Sequence, residues 1–169
     1  MHHSELIVGA MNDPSKRSPL PSPAAASTLR ASLIVFAALD IGLALFMAVA
    51  PHAFYRAIGP FGVSNSHYVR DVATFYGAVG IVMAMSVSRS SWRAPVLAVS
   101  TIQFALHSLN HLVDIAKAHP AWAGYADFFS LLAGTAILAW LWRIATLADR
   151  GEASRSAPRP LPTPQRSPI

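Results

Sequence analysis

Four long apolar blocks, separated by short polar or proline-bearing stretches, set the plan of this chain. Ala31 to Ala50 gives twenty residues with a single charge, Asp40, between Arg30 and Pro51. That length matches the roughly 20 residues a helix needs to cross a bilayer core. One Asp near a helix centre costs about 2.5 to 3.5 kcal/mol on insertion scales, which the surrounding Leu, Ile, Phe and Val residues can offset. A second block runs from about His67 to Val87, with Ser64, Asn65 and Ser66 as candidate N-caps and Asp71 suited to the positive end of the helix. The third, 94 to 116, starts beyond Trp92 and Arg93 and tolerates Pro95 in its first turn. Pro120 separates it from the fourth, about 121 to 145. Spans at 31–50, 67–87, 94–116 and 121–145 predict an all-α fold, an integral membrane four-helix bundle over residues 29–146. Pro51 to Gly62 is too short to span, and its aromatics beside Arg56 suit a short interfacial helix lidding the bundle after the first span.

Within these blocks two stripes depart from plain greasiness. Ala73, Gly77, Gly80 and Ala84 recur on one face of the second span, where small side chains let another helix approach closely. On the third span His107, Asn110, His111 and Asp114 fall at i, i+3, i+4 and i+7 and share a face, which Gln103 and Ser100 extend backwards. Ile102, Leu106, Leu109 and Val113 form the opposite, apolar face. By hydropathy this is the poorest span, so its polar face is expected to turn towards the other helices or a water-filled cavity. On the fourth span Asp127, Ser130 and Gly134 share one face.

The ends read differently. Residues 1–28 and 147–169 are rich in Pro, Ser, Ala and Arg, and both are expected to be disordered tails. Prolines at 158, 160, 162 and 164 favour an extended polyproline conformation. Met11 is a second candidate start, and the first apolar block begins too far in and runs too long for a cleaved secretory signal. Against these hydrophilic ends the mean hydropathy of +0.41 requires a very apolar middle. Charged residues make up 12% of the chain, well below soluble domains, which points to lipid as the solvent. The formal charge of +5 comes without a basic stripe or stacking motif, so no nucleic-acid partner is expected. It reads instead as topology: with both termini cytoplasmic, ten of the 13 Lys and Arg lie inside and Arg56, Arg70 and Lys117 outside. This predicts a multi-pass protein of the cell (inner) membrane. The absence of cysteine removes disulfides, thiolate metal sites and thiol nucleophiles.

In that topology Asp71, Asp114 and Asp127 fall in the outer half, His111 one turn deeper, and Asp40 and His107 near mid-depth. A shared pocket of His107, Asn110, His111, Asp114, Asp40, Arg70, Asp71 and Asp127 is therefore expected, with Trp122, Tyr125, Phe128 and Phe129 as further lining. Three uses stay open. The polar groups can be helix glue, with Arg70 or Lys117 pairing a carboxylate and Asn110 bridging helices. They can hold the head of a lipophilic small molecule such as a quinone, sterol or lipid headgroup. They can bind a metal, since His107 and His111 at i, i+4 can reach one ion with Asp114 or another helix's Asp completing the shell, in a metal- or haem-dependent oxidoreductase subunit. No zinc-protease, di-iron, phosphate-loop, dinucleotide or nucleophilic Ser motif is present, so binding or accessory work is favoured over independent catalysis. No cofactor is identified.

The stretches His-Tyr-Val-Arg-Asp-Val-Ala-Thr-Phe-Tyr at 67–76 and Leu-Asn-His-Leu-Val-Asp at 109–114 resemble small actinobacterial four-helix membrane proteins of the DoxX-like type. The resemblance covers about residues 30–146. It implies four spans and, for some of that group, a partner among membrane oxidoreductase complexes.

Overall fold

The computed structural model describes residues 22–118 and 120–156, and the sequence expectations for 1–21 and 157–169, including the polyproline stretch, lie outside them. Among the described residues five α-helices follow in order: α1 (Pro23–Val49), α2 (Pro51–Ala57), α3 (Ser66–Ser86), α4 (Arg93–Asp114) and α5 (Ala121–Ser156). Short 3-10 turns at Ser90–Trp92 and Ile115–Lys117 flank α4. The all-α expectation holds. Among the described residues four helical segments are long and apolar enough to cross a membrane. Their outward side chains are large and apolar, with Leu106 63% and Val113 73% exposed, an arrangement compatible with a multi-pass membrane protein.

Both outer helices run further than the apolar blocks. α1 begins at Pro23, inside the segment expected to be unstructured. Ser22 Oγ accepts a hydrogen bond from the Ala25 N–H at 3.2 Å, proline occupies the first turn, and three alanines follow. α5 continues to Ser156, because Ala145 to Ser156 contains no proline and is rich in good helix formers. Of the three candidate caps for α3, Asn65 does the work: its Oδ1 accepts from the His67 and Tyr68 N–H groups at 3.0 and 3.3 Å.

Packing divides the bundle into two helical pairs. α1 lies along α3 and α4 along α5, while the pairs touch each other far less. The α1–α3 seam uses the small-residue stripe: Ala73 is buried, and a Cβ on Gly80 would sit 2.8 Å from Ile41 Cγ1 and 3.0 Å from the Ile41 backbone nitrogen. Ala84, at the end of the stripe, is exposed. On α5 a Cβ at Gly134 would sit 2.8 Å from the Phe104 ring.

The pairs join at the end where α1 begins and α5 finishes. Leu29 and Leu33 from α1, Met83 from α3, Leu97 from α4, and Leu138 and Leu141 from α5 are all at most 2% exposed and form one cluster. Arg93 closes the same end, its Nε donating to Ser86 O at 3.0 Å and a terminal nitrogen to Val87 O at 2.9 Å. Those carbonyls at the end of α3 would otherwise lack partners. Towards the opposite end the pairs diverge, and the space between them is roofed by α2 and the loop after it.

Candidate functional site

A cavity of about 600 Å³ occupies that diverging half. Its walls are largely apolar, with Phe36, Leu43, Met47, Phe54 and Phe104 among them. Six polar side chains interrupt this lining: Asp40 from α1, Tyr76 from α3, His107 and His111 from α4, and Asp127 and Ser130 from α5. Volume and lining are those of a small-molecule site, a largely apolar concavity with a few convergent polar groups.

Helix geometry explains who faces inward. His107 and His111 are one turn apart, and their ring centroids lie 4.8 Å from each other. Asp127, Ser130 and Gly134 share a stripe on α5, and all three line the cavity. Asp40 is 6% exposed, at the level where Gly80 lets α3 close on α1. The roof is tied down locally. Tyr55 OH donates to Gly62 O, and Gly62 adopts φ +64°, a left-handed conformation that glycine reaches at little cost. His52 meets Ser66 Oγ at 3.1 Å through Nε2. This turn sets Phe61 edge-on to His111, with centroids 4.9 Å apart and planes at 88°.

Two polar atoms of residues that line it, His111 Nδ1 and Asp127 Oδ2, are themselves covered by protein and have no hydrogen-bond partner. A buried unpaired group costs about 1–3 kcal/mol, more if charged, so each calls for an explanation. Ser100 Oγ shares the condition. It borders a smaller void on the α3–α4 side, where Gln103 Nε2 donates to Tyr76 OH at 3.4 Å and Asp40 also reaches.

Of the eight residues expected to share a pocket, the structure brings four together: Asp40, His107, His111 and Asp127. The other four lie elsewhere, for identifiable reasons. Val72 and Tyr76 put the inner face of α3 one residue away from Asp71, which is exposed and pairs with His67 at 3.5 Å. Arg70 is exposed, and its Nε donates to Ala48 O at 3.3 Å outside the α1–α3 seam. Asn110 is exposed in an outer groove between α3 and α4, with Phe75, Gln103 and Leu106. α5 packs on the other flank of α4, where Ser108 meets Thr135, so the i+3 position turns away from the cavity. Asp114 ends α4 in an ion pair with Lys117 at 2.6 Å. Trp122, Tyr125 and Phe129 point outward at 70%, 53% and 60% exposure, and Phe128 is not on the cavity wall either.

The metal set His107, His111 and Asp114 does not assemble, because Asp114 is held at the helix end. Among the described residues no group of three His, Asp, Glu or Cys side chains is placed to hold an ion. The protein offers two adjacent imidazoles, one short of the three ligands usual at a catalytic zinc.

Sequence reading passed over Tyr76 and the roof residue Phe61. Tyr76 carried a usable signal, a polar-tipped aromatic one turn from Val72 on the face carrying Ala73 and Gly80. Phe61 carried none, since its place depends on the turn at Gly62. Comparisons of the chain with protein-family models, with curated proteins and with solved structures gave no match.

Proposed function

We propose that this chain is a multi-pass protein of a bacterial inner membrane, both termini cytoplasmic, whose cavity binds a lipophilic small molecule. The observation that carries the reading is a cavity of about 600 Å³ whose apolar lining is interrupted by six polar side chains, Asp40, Tyr76, His107, His111, Asp127 and Ser130. Helix glue would put the lining carboxylates and imidazoles in ion pairs across helices. Instead both ion pairs among the described residues, His67 with Asp71 and Lys117 with Asp114, lie off the cavity wall. A bound molecule covers the apolar lining. The cytoplasmic placement of the termini is supported by the Lys and Arg distribution between the blocks. The DoxX-like resemblance accords with an accessory role beside a membrane redox complex.

The test is extraction of detergent-purified protein with organic solvent and mass spectrometry of what is released. A lipophile near one per chain is expected, and its loss from a Ser130→Phe, Ala133→Trp variant that fills the cavity from α5. A wild type without co-purified lipophile, or equal retention by the filled variant, overturns the reading.

A further inference from the structure

A molecule reaches a cavity where the wall has no protein behind it, and most of this wall is backed. The packed end is shut by Leu29, Leu33, Leu97, Leu138 and Leu141, all at most 2% exposed. The α1–α3 seam closes where Gly80 meets Ile41 and the α4–α5 seam where Gly134 meets Phe104, a Cβ at either glycine landing 2.8 Å from its neighbour. Between α3 and α4, Gln103 Nε2 donates to Tyr76 OH at 3.4 Å beside a far smaller void. On the α2 side, Phe54, Ile58 and Phe61 line the cavity from the roof, and Phe61 reaches α4 at His111.

The flank between α1 and α5 is different. Contact between these helices is slight, and the core residues they share, Leu33 and Ala37 with Leu138 and Leu141, lie at the packed end. Helix geometry shows what faces the gap above them. Ile41 and Leu39 stand about 100° to either side of Asp40. Ile41 meets α3 at Gly80, so Leu39 falls on the flank turned to α5. The fourth span mirrors this. Thr135 and Ala133 stand about 100° to either side of Gly134. Thr135 meets α4 at Ser108, so Ala133, with Ile137 one turn on, falls on the flank turned to α1. Leu39, Ala133 and Ile137 all line the cavity, and all three are exposed, Leu39 at 61% and Ile137 at 48%. The same side chains are thus wall of the cavity and outer surface of the bundle. Ser130, next along α5, donates its hydroxyl to Ala126 O at 2.6 Å and adds no unpaired donor to this rim. An apolar rim on spanning helices opens to hydrocarbon at little cost, since lipid tails are as apolar as leucine.

We infer that this slot is a lateral portal: the cavity exchanges its occupant with the hydrocarbon of the bilayer between α1 and α5, and not with water past the roof. The inference rests on the binding role proposed above and adds a route to it. The route restricts occupants to molecules that reside in the membrane, and it lets a chain longer than the cavity leave its remainder in the bilayer.

The chain has no cysteine, so a Leu39→Cys, Ile137→Cys pair can be bridged selectively in detergent by bis-maleimides of graded length. Intact mass confirms the bridge, and the protein, stripped of co-purified lipophile by repeated detergent exchange, is then placed in nanodiscs. The probe is adamantyl diazirine, an apolar photolabel that dissolves in the bilayer, and peptide mass spectrometry locates its insertions. Unbridged protein is expected to carry label at the cavity residues Tyr76, Phe104 and Leu131 as well as at the outward Leu106 and Val113. The α1–α5 bridge should abolish the interior label and leave the outward label in place. A Phe75→Cys, Ile102→Cys bridge across the outer α3–α4 groove should leave the interior label at Leu131 intact. If no bis-maleimide spans the first pair, a Leu39→Trp, Ile137→Trp variant, shown to be folded by monodispersity and helical circular dichroism, narrows the slot without reagent and should lower the interior label. Interior label that survives closure of the α1–α5 slot, that is lost instead on bridging α3 to α4, or that is absent from unbridged protein overturns the portal. The binding role is read separately, by the co-purified lipophile. Its failure leaves a gated cavity without a native occupant, and failure of the portal leaves a lipophile that enters elsewhere.

Discussion

The two halves of this bundle are built from the same four helices and behave as different materials. At the end where α1 begins and α5 finishes, leucines and a methionine from the four long helices interlock with almost no exposed surface. At the other end the same helices separate around an apolar space with a polar wall, roofed by a seven-residue helix and a turn. Association between helices in lipid draws on packing and hydrogen bonding, since the tails of the solvent are as apolar as leucine. The packed half therefore holds the fold together. The open half can leave polar atoms unpaired because its stability is supplied elsewhere.

The largest test of this contrast is a matched pair of truncations. Leu97→Ala in the packed half should lower stability by about 2–4 kcal/mol, the range for a fully enclosed leucine. Leu43→Ala, on the cavity wall, should cost under about 1 kcal/mol because one side of the residue already lacks neighbours. Thermal unfolding in one detergent reads both, and similar losses would mean that the halves are equally packed. A smaller effect, about 1 kcal/mol, is expected for Gly62→Ala, where φ +64° disfavours any Cβ. That substitution should also disturb the Phe61 contact with His111, so retention of a co-purified lipophile should fall more than stability does. Least of all should follow from Asp71→Asn: its pair with His67 is exposed and worth roughly 0–1 kcal/mol at most. Lipophile retention should be unchanged in that variant. A loss there would return Asp71 to the site.

Much of this plan was legible without coordinates. Apolar blocks of spanning length marked the four long helices, and Pro51 and Pro120 marked breaks between them. The small side chains at Ala73, Gly77 and Gly80 marked the face of close approach. The ends of α1 and α5 were not legible from hydropathy, because the added turns are helical by propensity and capping and not by greasiness. In the site, the i, i+4 pair His107 and His111 and the α5 stripe of Asp127, Ser130 and Gly134 fall on the cavity wall. Asn110 and Asp114 belong to the same linear stripe and do not: Asn110 falls to one side of the arc that meets the cavity, and Asp114 lies at the helix end, paired with Lys117.

The sequence by itself determined that this is an all-α chain with four apolar helices, and it fixed which residues share a face on each. Such facts follow from a local period of 3.6 residues per turn and from block length. Only the tertiary structure decided that α1 pairs with α3 and α4 with α5, that the pairs part at one end, and that Tyr76, and not Asp71, is the polar group α3 turns inward. The rotation of each helix about its axis is set by what packs against it, and a shift of one residue turns a side chain by about 100°. Asp71 and Val72 differ by that one step, which separates an exposed ion pair from the wall of the cavity.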